Sequence, residues 1–191
     1  LRPVFAAGGL VQFDGTDDLL EGAGNILTIA QAANAVTFIG RVKFGALAAT
    51  QQIIVLSSNV GANNRFSFRV LSTGALQLRL RRLDADSYMS YTTAAGVVAA
   101  NTAYSIIASV DYVGNTASIY LNGGPDILAA TLTLASSPGP TSNTASVRAR
   151  IGASVVAGPI DFFPGSIGMF ALTNSIPTAA QRAAIFAELA L

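Results

Sequence analysis

Apolar and polar residues alternate with a period of two along much of this chain, the pattern of strands half buried against a core. In Leu76-Gln77-Leu78-Arg79-Leu80-Arg81 every second residue is leucine, and Asn64-Arg65-Phe66-Ser67-Phe68-Arg69-Val70 places Phe66, Phe68 and Val70 on one face. Ser72-Thr73-Gly74 joins the two runs with turn residues, which predicts a hairpin. Val36, Phe38, Gly40, Val42 and Phe44 alternate in the same way, and the runs 103–113 and 116–121 flank Gly114-Asn115, a second hairpin signal. Further strand-like runs lie at 10–13, 18–20, 26–29, 52–56, 87–91, 129–134, 147–151 and 166–172. About a dozen short strands, many separated by Gly and Asn, predict an all-β sandwich of antiparallel sheets. The segment from Thr178 breaks the pattern. It reads as a short C-terminal helix, with Thr178 as N-cap after Pro177 and with Ile185 and Leu189 sharing a face, packed on the edge or end of the sandwich.

The predicted core comprises Phe13, Phe38, Val42, Phe44, Phe66, Phe68, Leu78, Leu80, Ile106, Ala108, Ile119, Ile151, Ile167 and Phe170. A loop is expected over 135–144, around Ser136-Ser137-Pro138-Gly139-Pro140, and strand signals continue after it. No repeat stands out, so residues 1–191 are expected to form one domain. A first residue of Leu rather than Met predicts a processed, trimmed or incompletely represented start, and Leu1–Leu10 is not an intact signal peptide.

Composition narrows the chemistry. The 191 residues include no Cys and no His, which removes a disulfide framework, thiolate metal sites and the Ser-His-Asp and Cys-His arrangements. The formal net charge of +1 gives no general pull towards nucleic acid or an anionic membrane. Charged residues make up only 11% of the chain and mean hydropathy is +0.52, yet no apolar stretch is long enough to span a bilayer. Two explanations remain open: a surface covered by partners, or an uncharged surface of Ala, Ser and Thr.

The arginines form the most distinctive charged set. Arg79 and Arg81 share one strand face by alternation, Arg148 and Arg150 another, and Arg65 and Arg69 a third. Guanidinium groups suit bidentate recognition of carboxylate or phosphate, so neighbouring strands would carry a stripe able to hold an anionic glycan or an acidic protein face. Outward strand positions also need charge simply for solubility and edge protection. Sugar binding adds a demand for exposed aromatics, for which Tyr88, Tyr91 and Tyr112 are candidates, and for amides, which Asn59, Asn63 and Asn64 could supply. Asp14, Asp17 and Asp18 are weak calcium candidates, because a hard cation wants several oxygen ligands; Asp14-Gly15 is equally an ordinary turn dipeptide. Asp84-Ala85-Asp86 is the one close acid pair. It sits at an expected turn beside Arg81 and Arg82, a solvated pairing rather than the cleft-facing acids of a glycosidase.

Three stretches in order resemble the laminin-G-like branch of the concanavalin A-like lectin/glucanase superfamily. They are Val11 to Leu20 with its Asp-Gly turn, 103–123 ending in Tyr120-Leu121-Asn122-Gly123, and Val147 to Gly152 followed by Phe163-Pro164-Gly165-Ser166-Ile167-Gly168 and the terminal helix. The resemblance implies a jelly-roll sandwich with a short C-terminal helix, in a superfamily of lectins, adhesion modules, glycosidases and phage structural parts. This chain departs from it in lacking Trp and in having Gly168 where relatives often carry an acid. The expected function is a non-enzymatic assembly module without a cofactor, in the form of a phage or virus particle component such as a capsid decoration or tail/fibre protein. Its partners would be other subunits, as a homo-oligomer or with capsid and tail proteins, and its place a virion or the extracellular space. The alternative is a carbohydrate-binding or adhesion module of a secreted protein, with glycans as partners.

Overall fold

Alternation becomes two stacked antiparallel sheets in a computed structural model that describes residues 3–6, 10–57, 64–154 and 160–190. One is seven-stranded, in the spatial order β1 (Val4–Ala6), β2 (Leu10–Asp14), β13 (Pro164–Thr173), β4 (Ala35–Phe44), β9 (Ala103–Asp111), β10 (Thr116–Leu121) and β11 (Ala130–Thr131). The other is six-stranded, in the order β3 (Leu20–Gly22), β12 (Arg148–Ile151), β5 (Gln51–Ser57), β6 (Asn64–Val70), β7 (Leu76–Leu80) and β8 (Met89–Thr92). The chain passes from one sheet to the other between β2 and β3, β3 and β4, β4 and β5, β8 and β9, β11 and β12, and β12 and β13, as in a concanavalin A-like jelly roll. Both hairpins read from the sequence form: β6 pairs β7 through the turn at Ser72-Thr73-Gly74, and β9 pairs β10 through a turn in which Asn115 adopts φ 58°.

The apolar face of each strand closes on one core. Phe38 of β4 meets Phe68 of β6 across the sheets, with ring centroids 5.6 Å apart, and both are fully buried. Phe44, Phe66, Leu78, Leu80, Ile106 and Ile119 fill the same layer without exposure. Phe170 does not join them. The β13–β4 register slips between Ile167 and Phe170, and this β-bulge sets Phe170 opposite Gly40 on the core side, at an open rim shared with Ile26, Ile29 and Leu172, where it stays 37% exposed. A one-residue insertion reverses every side chain beyond it: a regular ladder continued from Ile167 would place Phe170 opposite Ile39 on the outer face.

Local departures have similarly local causes. The apolar run 26–29 forms a single turn of 3-10 helix over Gly24–Leu27 instead of a strand, because a short apolar run carries no periodicity that separates the two. The strand expected at 18–20 begins at Leu20, since the Asp18 carboxylate accepts from the Asp14 amide (3.0 Å) and so belongs to the preceding turn. The run 129–134 contributes only the two residues of β11.

The helix α1 (Ala179–Leu189) starts where its capping chemistry predicts. The Thr178 hydroxyl accepts from the Gln181 amide, and the Gln181 side chain accepts from the Thr178 amide, a complete capping box. It lies over the outer face of the seven-stranded sheet rather than at an edge or end. The Ser105 hydroxyl of β9 donates to the Leu189 carbonyl, and Arg182 stacks on Tyr120 of β10, 4.3 Å from the ring centroid. Ile107 of β9, outward by alternation, is fully buried in this sheet.

Replacing Phe68 with Ala removes one ring of the cross-sheet pair and leaves a cavity in close-packed surroundings. Unfolding in urea should report a loss of about 3–5 kcal/mol, and an unchanged midpoint would contradict the placement of Phe68 in the core.

Candidate functional site

The outer face of the six-stranded sheet gathers the arginines picked out by alternation. Opposite residues across the ladders share a face, so Glu21, Arg150, Val55, Ser67, Arg79 and Ser90 form one row across six strands. Gln52, Arg69, Gln77 and Thr92 form the next. The strand β5 separates β12 from β6, so Arg148 and Arg150 are not immediate neighbours of the arginines on β6 and β7.

Burial then divides the six arginines, and the expected continuous stripe is broken. Arg65 is fully buried: its guanidinium donates to the Ala30 carbonyl (3.2 Å), to the Thr144 carbonyl and hydroxyl, and to Asp84 at 2.7 Å. Arg81, 2% exposed, shares the same carboxylate at 3.5 Å and also donates to the Asp84 carbonyl. Arg150, 6% exposed, donates to the Ser154 carbonyl (3.0 Å) and to Glu21 (3.3 Å). Arg148 also faces Glu21, at 3.9 Å. Arg65, Arg81 and Arg150 are therefore cross-braces of the loops around the sheet and are closed to a ligand. Tyr112 is corrected in the same way. It is fully buried, and its hydroxyl donates to the Arg65 carbonyl (2.7 Å), while burial pushes its phenol above the ordinary value. Tyr91 is half-buried, its hydroxyl accepting from the Thr133 amide.

Arg69, Arg79 and Tyr88 remain open. Arg79 stacks on the exposed Tyr88 ring, 3.7 Å from its centroid, and its Nε is buried without a hydrogen-bond partner. Among the described residues Arg79 makes no ion pair. Arg69 lies diagonally across the β6–β7 ladder and donates from Nε to Gln77 at 2.7 Å. Burial holds its guanidinium below the ordinary arginine value, the positive charge of Arg79 adds to the effect, and the Asp161 carboxylate opposes it. Two guanidinium groups outnumber that carboxylate, a local excess of positive charge that a further anion would relieve. Around them Ser90 and Thr92 offer hydroxyl groups, while the buried Gln77 also donates from Nε2 to the Thr92 hydroxyl (2.6 Å), and Gln52 is clamped to Ser67 through Nε2–Oγ at 3.0 Å. Beyond Tyr88 a cleft of 620 Å³ opens, lined by Arg81, Asp84, Ala85, Asp86, Ser87 and Tyr88. Gln77, Ser90 and Thr92 escaped the sequence reading, although their parity with Arg79 was there to be counted. Asn59 and Asn63 lie outside the described residues, and of Asn64 only the backbone is described.

The acid clusters are turns. Asp84 pairs with Arg65 and Arg81, and Asp86 accepts from the Leu83 amide (2.9 Å) and the Ser136 hydroxyl (2.7 Å). Oxygens of Asp14, Asp17 and Asp18 lie within 4.8 Å of one another, a donor set of the kind hard cations accept. Backbone amides already organise them: Asp14 Oδ1 accepts from Thr16 (2.8 Å) and Asp17 (3.4 Å), and Gly15 takes φ 79° in the turn. These donors hold the Asp14 carboxyl below its ordinary value.

A laminin G family model, described as the concanavalin A-like lectin/glucanases superfamily, matches residues 14–181, and the chain belongs to this superfamily. No curated protein matches it in sequence. Three solved structures are similar to it in fold. The carbohydrate-binding module CBM40 of a Ruminococcus gnavus IT-sialidase, bound to α2,3-sialyllactose, has a TM-score of 0.64 at 16% identity over 83% of this chain and 84% of that one. The binding domain of Botulinum Neurotoxin DC in complex with SialylT has a TM-score of 0.67 at 15% identity over 98% of this chain and 44% of that one. The K499G mutant of NanB sialidase from Streptococcus pneumoniae has a TM-score of 0.68 at 17% identity over 92% of this chain. The match spans only 27% of the sialidase's own length.

Two outcomes follow from the geometry. Asp84→Ala leaves the Arg65 guanidinium buried without its counter-charge, and urea unfolding should show a loss of about 2–4 kcal/mol. Asp14 has a folded pKa below its ordinary 3.8, so its contribution to stability is present above that value and is lost as pH falls through the lower folded one. Thermal unfolding of Asp14→Asn should be less sensitive to acid than that of the unchanged chain, with a smaller drop in Tm below about pH 4.

Proposed function

We propose that this protein is a non-enzymatic carbohydrate-binding module that recognises an acidic, sialic-acid-type glycan outside the cell. The observation that carries the reading is the Arg69–Arg79 pair, two guanidinium groups on adjacent strands of which Arg79 has no anionic partner among the described residues. A sugar carboxylate would take the bidentate face of Arg79, with Tyr88 stacking beside it and Ser90 and Thr92 meeting hydroxyls. Two of the similar folds were solved with sialylated ligands, which supports the same choice of ligand class. Of the two expectations drawn from the sequence, the carbohydrate-binding one therefore leads. The one close acid pair is tied up in turns and ion pairs, which supports binding without catalysis.

Titration with sialyllactose and with lactose tests the proposal. Sialyllactose should bind at least about tenfold more tightly, with affinity falling as salt rises. Arg79→Ala should weaken sialyllactose binding by at least about tenfold with little change in Tm, because among the described residues Arg79 makes no side-chain hydrogen bond or ion pair. Arg79→Lys should recover only part, since an ammonium keeps the charge but loses the fork. Equal binding of both sugars, or an indifferent Arg79→Ala, would overturn the reading.

A further inference from the structure

The opposite side of the sandwich carries a surface that glycan binding leaves unused. The bulge in β13 sets Gly168 and Met169 against the single residue Arg41 of β4, and it pushes Met169 outwards to 66% exposure beside Phe170. A hollow of 330 Å³ lies between this projection and α1, with Ile39, Ala171, Ala184 and Ile185 among its walls. A projecting apolar side chain and an apolar hollow thus sit side by side on this outer face. Contiguous apolar surface of this kind, rimmed by polar residues, marks an interaction site.

Two charges frame the patch. Arg41 opposes the bulge from β4, and Glu188 lines the first hollow from α1. Among the described residues neither makes an ion pair. A two-fold contact uses the same patch on both molecules, so that residue i meets j while j meets i. Such a contact requires one patch to offer both projection and hollow, and both signs of charge. This patch meets both requirements, whereas a lipid surface would be met by cations alone.

We propose that this face forms a two-fold homodimer in which Met169 of each copy enters the hollow beside α1 of the other, with Arg41 facing the partner's Glu188. The contact lies on the outer face of the seven-stranded sheet, opposite the Arg69–Arg79 face, so the dimer directs two binding faces away from each other. If the glycan-binding reading holds, the dimer cross-links two glycan-bearing surfaces instead of gripping one of them twice.

Light scattering on a sizing column, repeated over a range of concentrations, tests the dimer without any glycan. The unchanged chain should run at twice its 19.5 kDa mass, with a Kd in roughly the micromolar range. Met169→Glu, at an exposed site that should tolerate the change, should be monomeric with an unaltered Tm. Glu188→Arg should weaken the dimer about tenfold or more, and Arg41→Glu combined with Glu188→Arg should restore it. A monomer at every concentration, whether or not it binds phosphatidylcholine vesicles, overturns the proposal. So does a Met169→Glu dimer, or a charge swap that restores nothing. Beads coated with sialyllactose should be cross-linked by the unchanged chain and not by Met169→Glu. A dimer that fails to cross-link them would count against the glycan reading and leave the interface standing.

Discussion

A guanidinium taken out of water needs acceptors on every side it can be given, and Arg65 sets that demand at the centre of the six-stranded sheet's outer face. It is met by residues far apart in sequence. Ala30 supplies a carbonyl from the region after the 3-10 turn, Thr144 a carbonyl and a hydroxyl from the long loop, and Asp84 a carboxylate from the β7–β8 connection. Tyr112 completes the arrangement from behind β9 by donating to the Arg65 carbonyl. One buried cation therefore draws three connections onto a sheet face that alternation alone would leave bare.

The surface around Arg79 and Tyr88 depends on that tie. Asp84 begins the segment that ends in Tyr88, and Asp86 holds the same segment to Ser136. Arg82 secures the far side of the long loop through Ser136 (2.9 Å) and the Pro140 carbonyl (3.0 Å). With its approach so fixed, Tyr88 comes to lie over Arg79, leaving the guanidinium stacked but without an acid. Buried arginines thus act as positioning groups for exposed ones. The acidic residues are largely spent inside the fold: six of ten, Asp14, Asp18, Asp84, Asp86, Asp111 and Asp126, serve the internal hydrogen bonding of turns.

The two outer faces differ in kind. One concentrates arginine, tyrosine and hydroxyl groups on β6, β7 and β8. The other is apolar and partly covered by α1, with the β13 bulge beside it. The bulge shapes the second face, because the extra residue it sets against Arg41 leaves Met169 projecting at 66% exposure. Glycine suits this turn of events: a Cβ at Gly168 would lie 3.0 Å from a Leu10 methyl, closer than packing tolerates without adjustment. A sandwich with chemically distinct faces can hold a ligand on one and another protein on the other without competition between them.

The sequence by itself determined the strands, the two hairpins, the capped helix and which side of each strand faces the core. These follow from local rules, the period of two and the chemistry of caps and turns, and Phe38, Phe68 and Thr178 obey them. It also determined that Arg65, Arg69, Arg79 and Arg81 leave the core on the same face. Only the tertiary structure decided which of them meet solvent. Burial on an outer face depends on loops that fold back from distant parts of the chain, and alternation carries no information about such cover. For that reason Arg65, Arg81, Arg150 and Tyr112, alike in sequence to Arg79 and Tyr88, became struts. The fate of Phe170 has a related reason: one inserted residue reverses the parity of all that follow, and only the pairing with β4 shows where the insertion falls.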